Sequence, residues 1–351
     1  MSERVTFDEL YRRSTQYRKW SFTKDGLQQR RRSINQKGLD RVEKVLNETP
    51  EVDSSQIERV TVDEEQKLIS FHSRRIIMLA KYFNMPSQVR ATAISFLRKF
   101  YLVNSVMEYH PKLVLLTCLF LAAKSENFFI SIASFSKRIP KTTPESILSL
   151  EFEILQSLQF TLFVHHPFRP LYGFFFDIQE VLKGEISVKE LGKIYDGARN
   201  LINDALISDA VYYYTPPQIA LACLKQIDEG VTLKYLRKKF GQSDVKKEKV
   251  EIKEVKEEDQ EMKDETPQEK KIENHLEQLI KVITDCHQVI STAQDPTKEE
   301  ATIIDKKVQY CLNPSLLLKR KREGETPESQ DPNKRQRTES VEPSSTTPAT
   351  N

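Results

Sequence analysis

The residues that most often carry chemistry in proteins are few and scattered in this sequence. Its four cysteines are far apart and form no C-x-x-C pair. They are Cys118, Cys223, Cys286 and Cys311. This spacing predicts neither a zinc ribbon nor a redox dithiol. Cys118 and Cys223 lie in apolar runs, where burial makes a thiol a poor nucleophile.

Phosphate-binding and metal-binding motifs are also missing from the sequence. Neither G-x-x-x-x-G-K-[ST] nor G-x-G-x-x-G occurs, and there is no H-E-x-x-H. His165 and His166 directly precede a proline, a position that favours a capping or surface role over metal binding. We therefore expect a protein that is not an enzyme and that needs no cofactor.

Two charged positions stand out because they interrupt apolar patterns. Lys124 and Glu126 follow directly on the longest apolar run, 113–123. Glu151 lies within an amphipathic segment at 144–158. A lysine at a helix C-terminus can simply complement the helix dipole, so residue type alone does not separate a surface role from a binding role.

The elements that position these charges are predicted to be helices. Only nine glycines occur in 351 residues, which favours helices over the tight turns of sheets. Apolar periodicity predicts a first group of five helices. They lie at about 63–83, from Pro86, at 111–126, at 131–139 and at 144–158. The apolar run at 113–123 is too short to span a membrane, which needs roughly 20 such residues, so no membrane partner is expected.

The pattern then repeats after a proline-containing break at 165–170. Helices are expected around 171–176 and 187–209, and a proline-started apolar helix follows at 216. The sequence thus predicts an all-α fold with two consecutive helical repeats. The predicted divisions are an N-terminal arm or helix (1–60), the first repeat (61–163), the second repeat (164–292), a C-terminal helix (293–318) and a disordered tail (319–351).

Residues 244–271 are mostly charged and interrupt the second repeat, so we interpret them as a disordered or solvated insertion. The tail contains two basic clusters that are typical of a two-part nuclear import signal. They are Lys319, Arg320, Lys321 and Arg322, followed by Lys334, Arg335 and Arg337. A nonspecific nucleic-acid contact is the alternative. The net charge of +3 is too small to predict a global nucleic-acid surface.

An aromatic and basic strip lies near the N-terminus. Tyr17, Trp20 and Phe22 alternate with basic residues there. The pattern fits two interpretations equally well: a strip that docks a partner, or an arm that packs on its own domain.

Several blocks of the sequence, in order, resemble the cyclin family, and within it the cyclin H group. The most specific block is FYLVNSVMEYHP at 100–111, and LAAKSE at 121–126 resembles the broader cyclin motif. Further similar blocks are STQYRKWSF at 14–22, VHHPFRP at 164–170 and YTPPQIAL at 214–221. The resemblance covers most of residues 14–240 and, more weakly, 272–318.

The resemblance implies two consecutive five-helix cyclin-box bundles with flanking helices. It also implies a regulatory subunit that activates a cyclin-dependent kinase. In cyclins, a lysine ending the third helix and a glutamate in the fifth contact the kinase, and these match Lys124 and Glu151. We expect Glu126 and Arg75 to belong to the same surface. Cyclins usually have an acidic residue where this chain has Arg98, so the usual internal pairing of Arg75 is not expected.

The cyclin H group implies further partners and a location. These are a cyclin-dependent kinase of the CDK-activating type, a RING-type assembly factor and the core of transcription factor TFIIH. The resemblance also implies a nuclear protein that supports phosphorylation of the RNA polymerase II tail and of other kinases. The alternative is a nucleic-acid-bound transcription factor of the TFIIB type, which has the same double bundle. Such factors carry an N-terminal zinc ribbon and strongly basic repeats, and this chain has no cysteine before Cys118. Sequence-specific binding to nucleic acid is therefore not expected.

Overall fold

The computed structural model describes residues 7–240, 267–292 and 296–317. Within these ranges the chain forms sixteen α-helices and no β-strand, which confirms the all-α prediction. In the same ranges, none of the helices has both the length and the apolar character needed to cross a membrane.

Three helices precede the first repeat. They are α1 (Phe7–Arg13), α2 (Thr15–Trp20) and α3 (Lys24–Glu48). Six further helices form the first repeat. They are α4 (Val62–Tyr82), α5 (Ser87–Phe100), α6 (Pro111–Ser125), α7 (Ile132–Lys137), α8 (Pro144–Leu148) and α9 (Glu151–Ser157).

The remaining helices form the second repeat and the C-terminal element. They are α10 (Phe168–Val181), α11 (Val188–Ile207), α12 (Ala210–Tyr213), α13 (Pro216–Ile227), α14 (Glu229–Phe240), α15 (Pro267–Ser291) and α16 (Lys298–Leu312). Helix α16 packs back on α4. Lys307 ties the two helices together, since its Nζ lies 2.8 Å from a carboxylate oxygen of Glu64.

The two proline-started apolar helices, α6 and α13, occupy equivalent places. Helix α6 packs against α4, α5, α8 and α9, while α13 packs against α10, α11, α14 and α15. Every residue of α6 from Val114 to Ala123 is buried, as expected for a helix that is hydrophobic on all sides. Each repeat is therefore organised around one central helix.

Helix α3 is a long element that the sequence pattern did not predict. Thr23 caps it by accepting a hydrogen bond from Gly26 N at 3.1 Å. Its inner face mixes apolar and polar side chains. These are Leu27, Arg31, Ile34, Asn35 and Val42. At Gly38 the helix lies so close to the first repeat that a Cβ atom there would be 2.7 Å from Ser105 Cβ. The polar residues on this face hid its periodicity.

Two other boundaries differ from the prediction. The helix expected at 144–158 is divided into α8 and α9 at Ser149 and Leu150, and Leu150 departs from regular helical values with φ of −94° and ψ of −4°. Ser146 and Ser149 direct their hydroxyl groups back to backbone carbonyls, which competes with continuous helix. Residues 267–271 belong to α15 and not to the predicted insertion. The rest of that insertion and the tail from residue 318 lie outside the described residues.

His72 is a buried polar residue of α4 that makes the fold sensitive to acid. Its ring is 2% exposed, and neither ring nitrogen has a hydrogen-bond partner within the described part of the chain. Burial, with a smaller contribution from the charge of Arg75, lowers the pKa of His72 to about 3. The folded protein therefore holds this ring neutral at pH values where the unfolded chain protonates it.

We predict that acidification destabilises the protein through His72. The unfolded state binds the additional proton below its pKa of about 6.5. The free energy of unfolding should thus be fully retained above that pH. The part of this free energy that depends on His72 should fall by about 1.4 kcal/mol per pH unit as the pH drops towards 3. Urea unfolding at two acidic pH values measures the slope.

The variant His72→Phe should show a shallower loss of stability over the same pH range. The exposed His275 provides the control, and His275→Phe should retain the full slope of the natural protein. Equal slopes in all three proteins would contradict this role for His72.

Candidate functional site

Lys124 and Glu151 come together at the surface of the first repeat. Lys124 lies in the last turn of α6 and Glu151 is the first residue of α9. The Lys124 ammonium group forms an ion pair with Glu151 Oε1. It also lies 5.1 Å from the centroid of the Phe120 ring. The Lys124 side chain is 45% exposed and that of Glu151 is 19% exposed, so both charges are accessible.

The end of α6 fixes the direction of Lys124. Asn127 has a left-handed conformation, with φ of 56°. Phe128 N donates a hydrogen bond to Ala123 O at 2.8 Å, and Asn127 N donates to Lys124 O at 3.3 Å. These bonds form a Schellman motif, which satisfies the last carbonyl groups of the helix. The lysine is therefore held on an ordered helix end.

Exposed aromatic side chains follow each member of the pair along the chain. Phe129, just after α6, is 92% exposed. Phe152 follows Glu151, and its ring packs edge-on against Phe160 with centroids 6.5 Å apart. Both of these rings are more than half exposed, as is Phe163. Clustered exposed apolar side chains of this kind mark protein-binding surfaces.

Glu126 has an internal partner, while its place in the binding surface stays a prediction. Its Oε1 accepts a hydrogen bond from Thr92 Oγ1 at 2.6 Å. The same hydroxyl oxygen lies 2.7 Å from His166 Nε2. Because the single hydroxyl proton goes to the carboxylate, the histidine nitrogen donates to Thr92. Burial lowers the pKa of His166 to about 3, so the ring is neutral and carries its proton on Nε2. Glu126 thus joins α6 to the connection between the repeats.

Arg75 is half-buried, and its neighbour Arg74 makes the contact between repeats. Arg74 NH1 forms an ion pair with Asp204 Oδ1 on α11. Arg98, which stands where cyclins usually have an acidic residue, pairs with Asp209 at 2.9 Å. Arg98 thus takes its acidic partner from the second repeat.

Asp209 is the centre of a part-buried ionic cluster, in which the two arginine side chains are almost fully buried and the Asp209 side chain is 25% exposed. Arg31 from α3 donates to both of its carboxylate oxygens, at 2.7 and 2.6 Å. Arg98 from α5 donates to Oδ1. Burial alone would raise the pKa of Asp209, but the hydrogen bond from Arg31 and the charges of both arginines lower it below its ordinary value. The cluster joins the N-terminal helix, the first repeat and the second repeat at one carboxylate.

The N-terminal strip packs mainly on the chain itself. Trp20 is 2% exposed, and its indole Nε1 donates to Thr161 Oγ1 at 2.9 Å. Phe22 is half-buried, and its ring packs edge-on against Tyr212. A docking role for Trp20 is therefore wrong, since its ring has no free surface. Tyr17 and Phe22 remain partly exposed. The segment is therefore an arm that packs on its own domain.

Arg31 and Asp209 could not be recognised as a pair from the sequence. Arg31 is the middle member of three consecutive arginines, and only its place on the inner face of α3 distinguishes it. The basic clusters at 319–322 and 334–337 lie outside the described residues, so their import role stays a prediction. Among the described residues, no group of three or more His, Cys, Asp or Glu side chains is arranged to hold a metal ion.

Comparison with known proteins agrees with the double-repeat geometry. Residues 41–163 match the model described as the cyclin N-terminal domain, and residues 166–291 match the cyclin C-terminal domain. Cyclin CCL1 of Saccharomyces cerevisiae is 45% identical over 342 residues, which cover 92% of this chain and 87% of the relative. The chain belongs to the cyclin family. Cyclin mcs2 of Schizosaccharomyces pombe is 36% identical, and the match covers 66% of this cyclin and 73% of that relative.

Solved structures resemble this cyclin over most of its length. A chain of the CAK complex from Chaetomium thermophilum, bound to ATP-gamma-S, has a TM-score of 0.71 and 27% identity. The match covers 93% of this cyclin and 98% of that chain. A chain of the yeast TFIIK complex (Kin28/Ccl1/Tfb3) has a TM-score of 0.60 and 38% identity, covering 80% of this cyclin and all of that chain.

We predict that Asp209→Ala destabilises this cyclin strongly. The substitution leaves two buried arginine charges without their shared partner, and breaking a buried ion pair in this way typically costs about 3–5 kcal/mol. Asp204→Ala is the control because it removes a half-exposed ion pair, for which the expected cost is about 0–1 kcal/mol. Urea unfolding measures both values. Similar losses in the two variants would contradict the central role of Asp209.

Proposed function

We propose that this cyclin is a cyclin H-type regulatory subunit that binds and activates a cyclin-dependent kinase of the CDK-activating type. The catalytic step belongs to the kinase, and this chain acts by binding. The similarity to chains of the CAK and TFIIK complexes supports the proposal. Cyclin-domain matches in both halves favour it over a TFIIB-type factor bound to nucleic acid.

The observation that carries the proposal is the accessible Lys124–Glu151 pair. The two charges lie on separate helices and hold each other at the surface. On binding, the Lys124 ammonium can donate to backbone carbonyl groups of a partner, while Glu151 accepts from backbone amides. The neighbouring exposed rings, Phe152 and Phe160, supply apolar surface next to these polar contacts. Apolar anchors with a polar surround are the usual composition of a stable interface.

Activation then follows from a shift between two kinase states. In protein kinases, catalysis requires a Lys–Glu ion pair that forms only when helix αC is correctly placed. A cyclin that binds this active arrangement more tightly increases its population. Moving the kinase from mostly inactive to mostly active needs about 5.5 kcal/mol of differential binding. An interface of about 1,600 Å² is large enough to supply it.

We predict that Lys124→Ala combined with Glu151→Ala weakens kinase activation without unfolding the cyclin. The half-maximal concentration for activation should rise at least about tenfold, which corresponds to about 1.4 kcal/mol of binding free energy. The measurement is a titration of the purified kinase with each cyclin variant, with phosphorylation of an RNA polymerase II tail peptide as the readout.

A second Lys–Glu ion pair, which is exposed at its glutamate, provides the matched control. Lys225 Nζ lies 3.1 Å from Glu229 Oε1 on the second repeat, so Lys225→Ala with Glu229→Ala removes the same side-chain types elsewhere. This control should activate the kinase normally. Unchanged activation by the Lys124/Glu151 variant at limiting cyclin concentration would reject the assignment of this pair.

The proposal extends to the surrounding assembly and to the location of the protein. We infer that a RING-type assembly factor and the TFIIH core are further partners, and that the kinase acts on the RNA polymerase II tail and on other kinases. The matched yeast TFIIK complex comprises Tfb3 besides Kin28 and Ccl1, which supports a partner other than the kinase. A kinase that acts in transcription implies a nuclear cyclin.

We predict that the two basic clusters of the tail direct nuclear import. Replacing Lys319, Arg320, Lys321 and Arg322 by alanine, together with Lys334, Arg335 and Arg337, should move a fluorescent fusion of the full chain towards the cytoplasm. The control replaces Lys246, Lys247 and Lys249 in the charged insertion and should remain nuclear. Nuclear accumulation of both variants would contradict the import role.

A further inference from the structure

A small cavity lies where the two repeats and the N-terminal segment meet. Its volume is about 30 Å³, close to the volume of one water molecule in the liquid. Trp20 from α2, Lys99 from α5, His166 from the connection between the repeats and Tyr212 from α12 line it. The cavity therefore touches each of the parts that the Asp209 cluster joins.

Lys99 is a buried amine without a hydrogen-bond partner at this cavity. Its side chain is 4% exposed, and its Nζ has no hydrogen-bond partner among the described residues. Its Nζ lies 5.5 Å from the centroid of the Trp20 ring. A buried ammonium that lacks an acceptor carries a large desolvation cost. Burial accordingly lowers the pKa of Lys99 to about 7, so neutral and charged forms coexist near neutral pH.

A second unsatisfied donor belongs to another residue that lines this cavity. Arg98 lines the cavity, and its Nε has no hydrogen-bond partner within the described ranges, although its NH2 group is bonded to Asp209. The two unsatisfied side-chain atoms at the cavity, Lys99 Nζ and Arg98 Nε, are thus both donors. No aspartate or glutamate is among the described residues that line the cavity. The site needs an acceptor and offers no negative charge of its own.

The charge balance of the surrounding Asp209 cluster also favours a negatively charged ligand. Arg31 and Arg98 share the single carboxylate of Asp209, which leaves one positive charge in excess before Lys99 is counted. A protonated Lys99 adds a second. His166 contributes no charge, because its burial keeps the ring neutral. A bound monovalent anion would therefore offset charge that the protein itself leaves uncompensated.

We propose that this cavity binds one small monovalent anion, chloride in the cell, held by Lys99 Nζ and Arg98 Nε. Water also fits the volume and can accept from both groups, but it carries no charge to offset the excess positive charge of the cluster. The anion would stabilise the junction of the N-terminal segment and the two repeats. It would thereby support the arrangement of helices that presents the Lys124–Glu151 pair.

The first test is thermal unfolding of the full chain in different sodium salts at equal ionic strength. A ligand that binds only the folded state raises the melting temperature. Chloride and bromide should raise it by about 2–3 °C relative to gluconate, an anion too large for the cavity. Equal melting temperatures in the three salts would overturn the proposal.

Two lysine variants separate the site from general salt effects. Lys99→Met keeps a side chain of similar length but removes the donor, so the difference between chloride and gluconate should disappear. Lys183→Met alters an exposed lysine and should keep the full difference. A difference that persists in Lys99→Met would show that the anion acts elsewhere and would also overturn the proposal.

A direct measurement covers the case in which Lys99→Met does not fold. Crystals of the natural chain grown in sodium bromide should show an anomalous scattering peak within hydrogen-bond distance of Lys99 Nζ and Arg98 Nε. Density at this position without anomalous signal would identify water and reject the anion. None of these outcomes depends on kinase binding, so the result is independent of the proposed function.

Discussion

The architecture depends on one part-buried carboxylate, that of Asp209. Asp209 receives Arg31 from the N-terminal helix and Arg98 from the first repeat, while it belongs to the second repeat itself. Burying three charges is favourable only if their geometry is well satisfied, and the paired hydrogen bonds of Arg31 meet that condition. The mutual orientation of three parts of the chain is thereby coupled to a single side chain. Hydrophobic packing brings these parts together, whereas the ionic cluster is directional and selects one arrangement among those that packing allows.

The arrangement that Asp209 stabilises explains how a protein that performs no chemistry of its own can regulate another protein. The Lys124–Glu151 pair is placed by the ends of two helices, α6 and α9, and the end of α6 is closed by a complete Schellman motif. Glu126, two residues beyond Lys124, is bonded through Thr92 to the connection between the repeats. The surface offered to a partner is thus preorganised, and little ordering cost remains to be met when the complex forms.

The sequence predicted the parts of the fold that depend on apolar periodicity and could not predict those that depend on distant polar contacts. Helices α6 and α13 were recognised because their apolar runs start at prolines, and Lys124 and Glu151 were found through the resemblance to cyclins. Helix α3 was missed because Arg31 and Asn35 occupy its inner face. The partner of Arg31 lies 178 residues away in the chain, so no local pattern could have identified it. Trp20 was misjudged for a similar reason, since its acceptor, Thr161, lies 141 residues away in the chain.

Adding a single Cβ atom at Gly38 would affect contacts well beyond this residue. Helix α3 rests on the first repeat at this residue with no room for a methyl group beside Ser105. Arg31 lies seven residues earlier, two helical turns away and on the same face. Any side chain at position 38 would lift the helix and draw the guanidinium away from the carboxylate beneath it. The close contact of α3 with Ser105 therefore governs an ionic contact about 10 Å further along the helix.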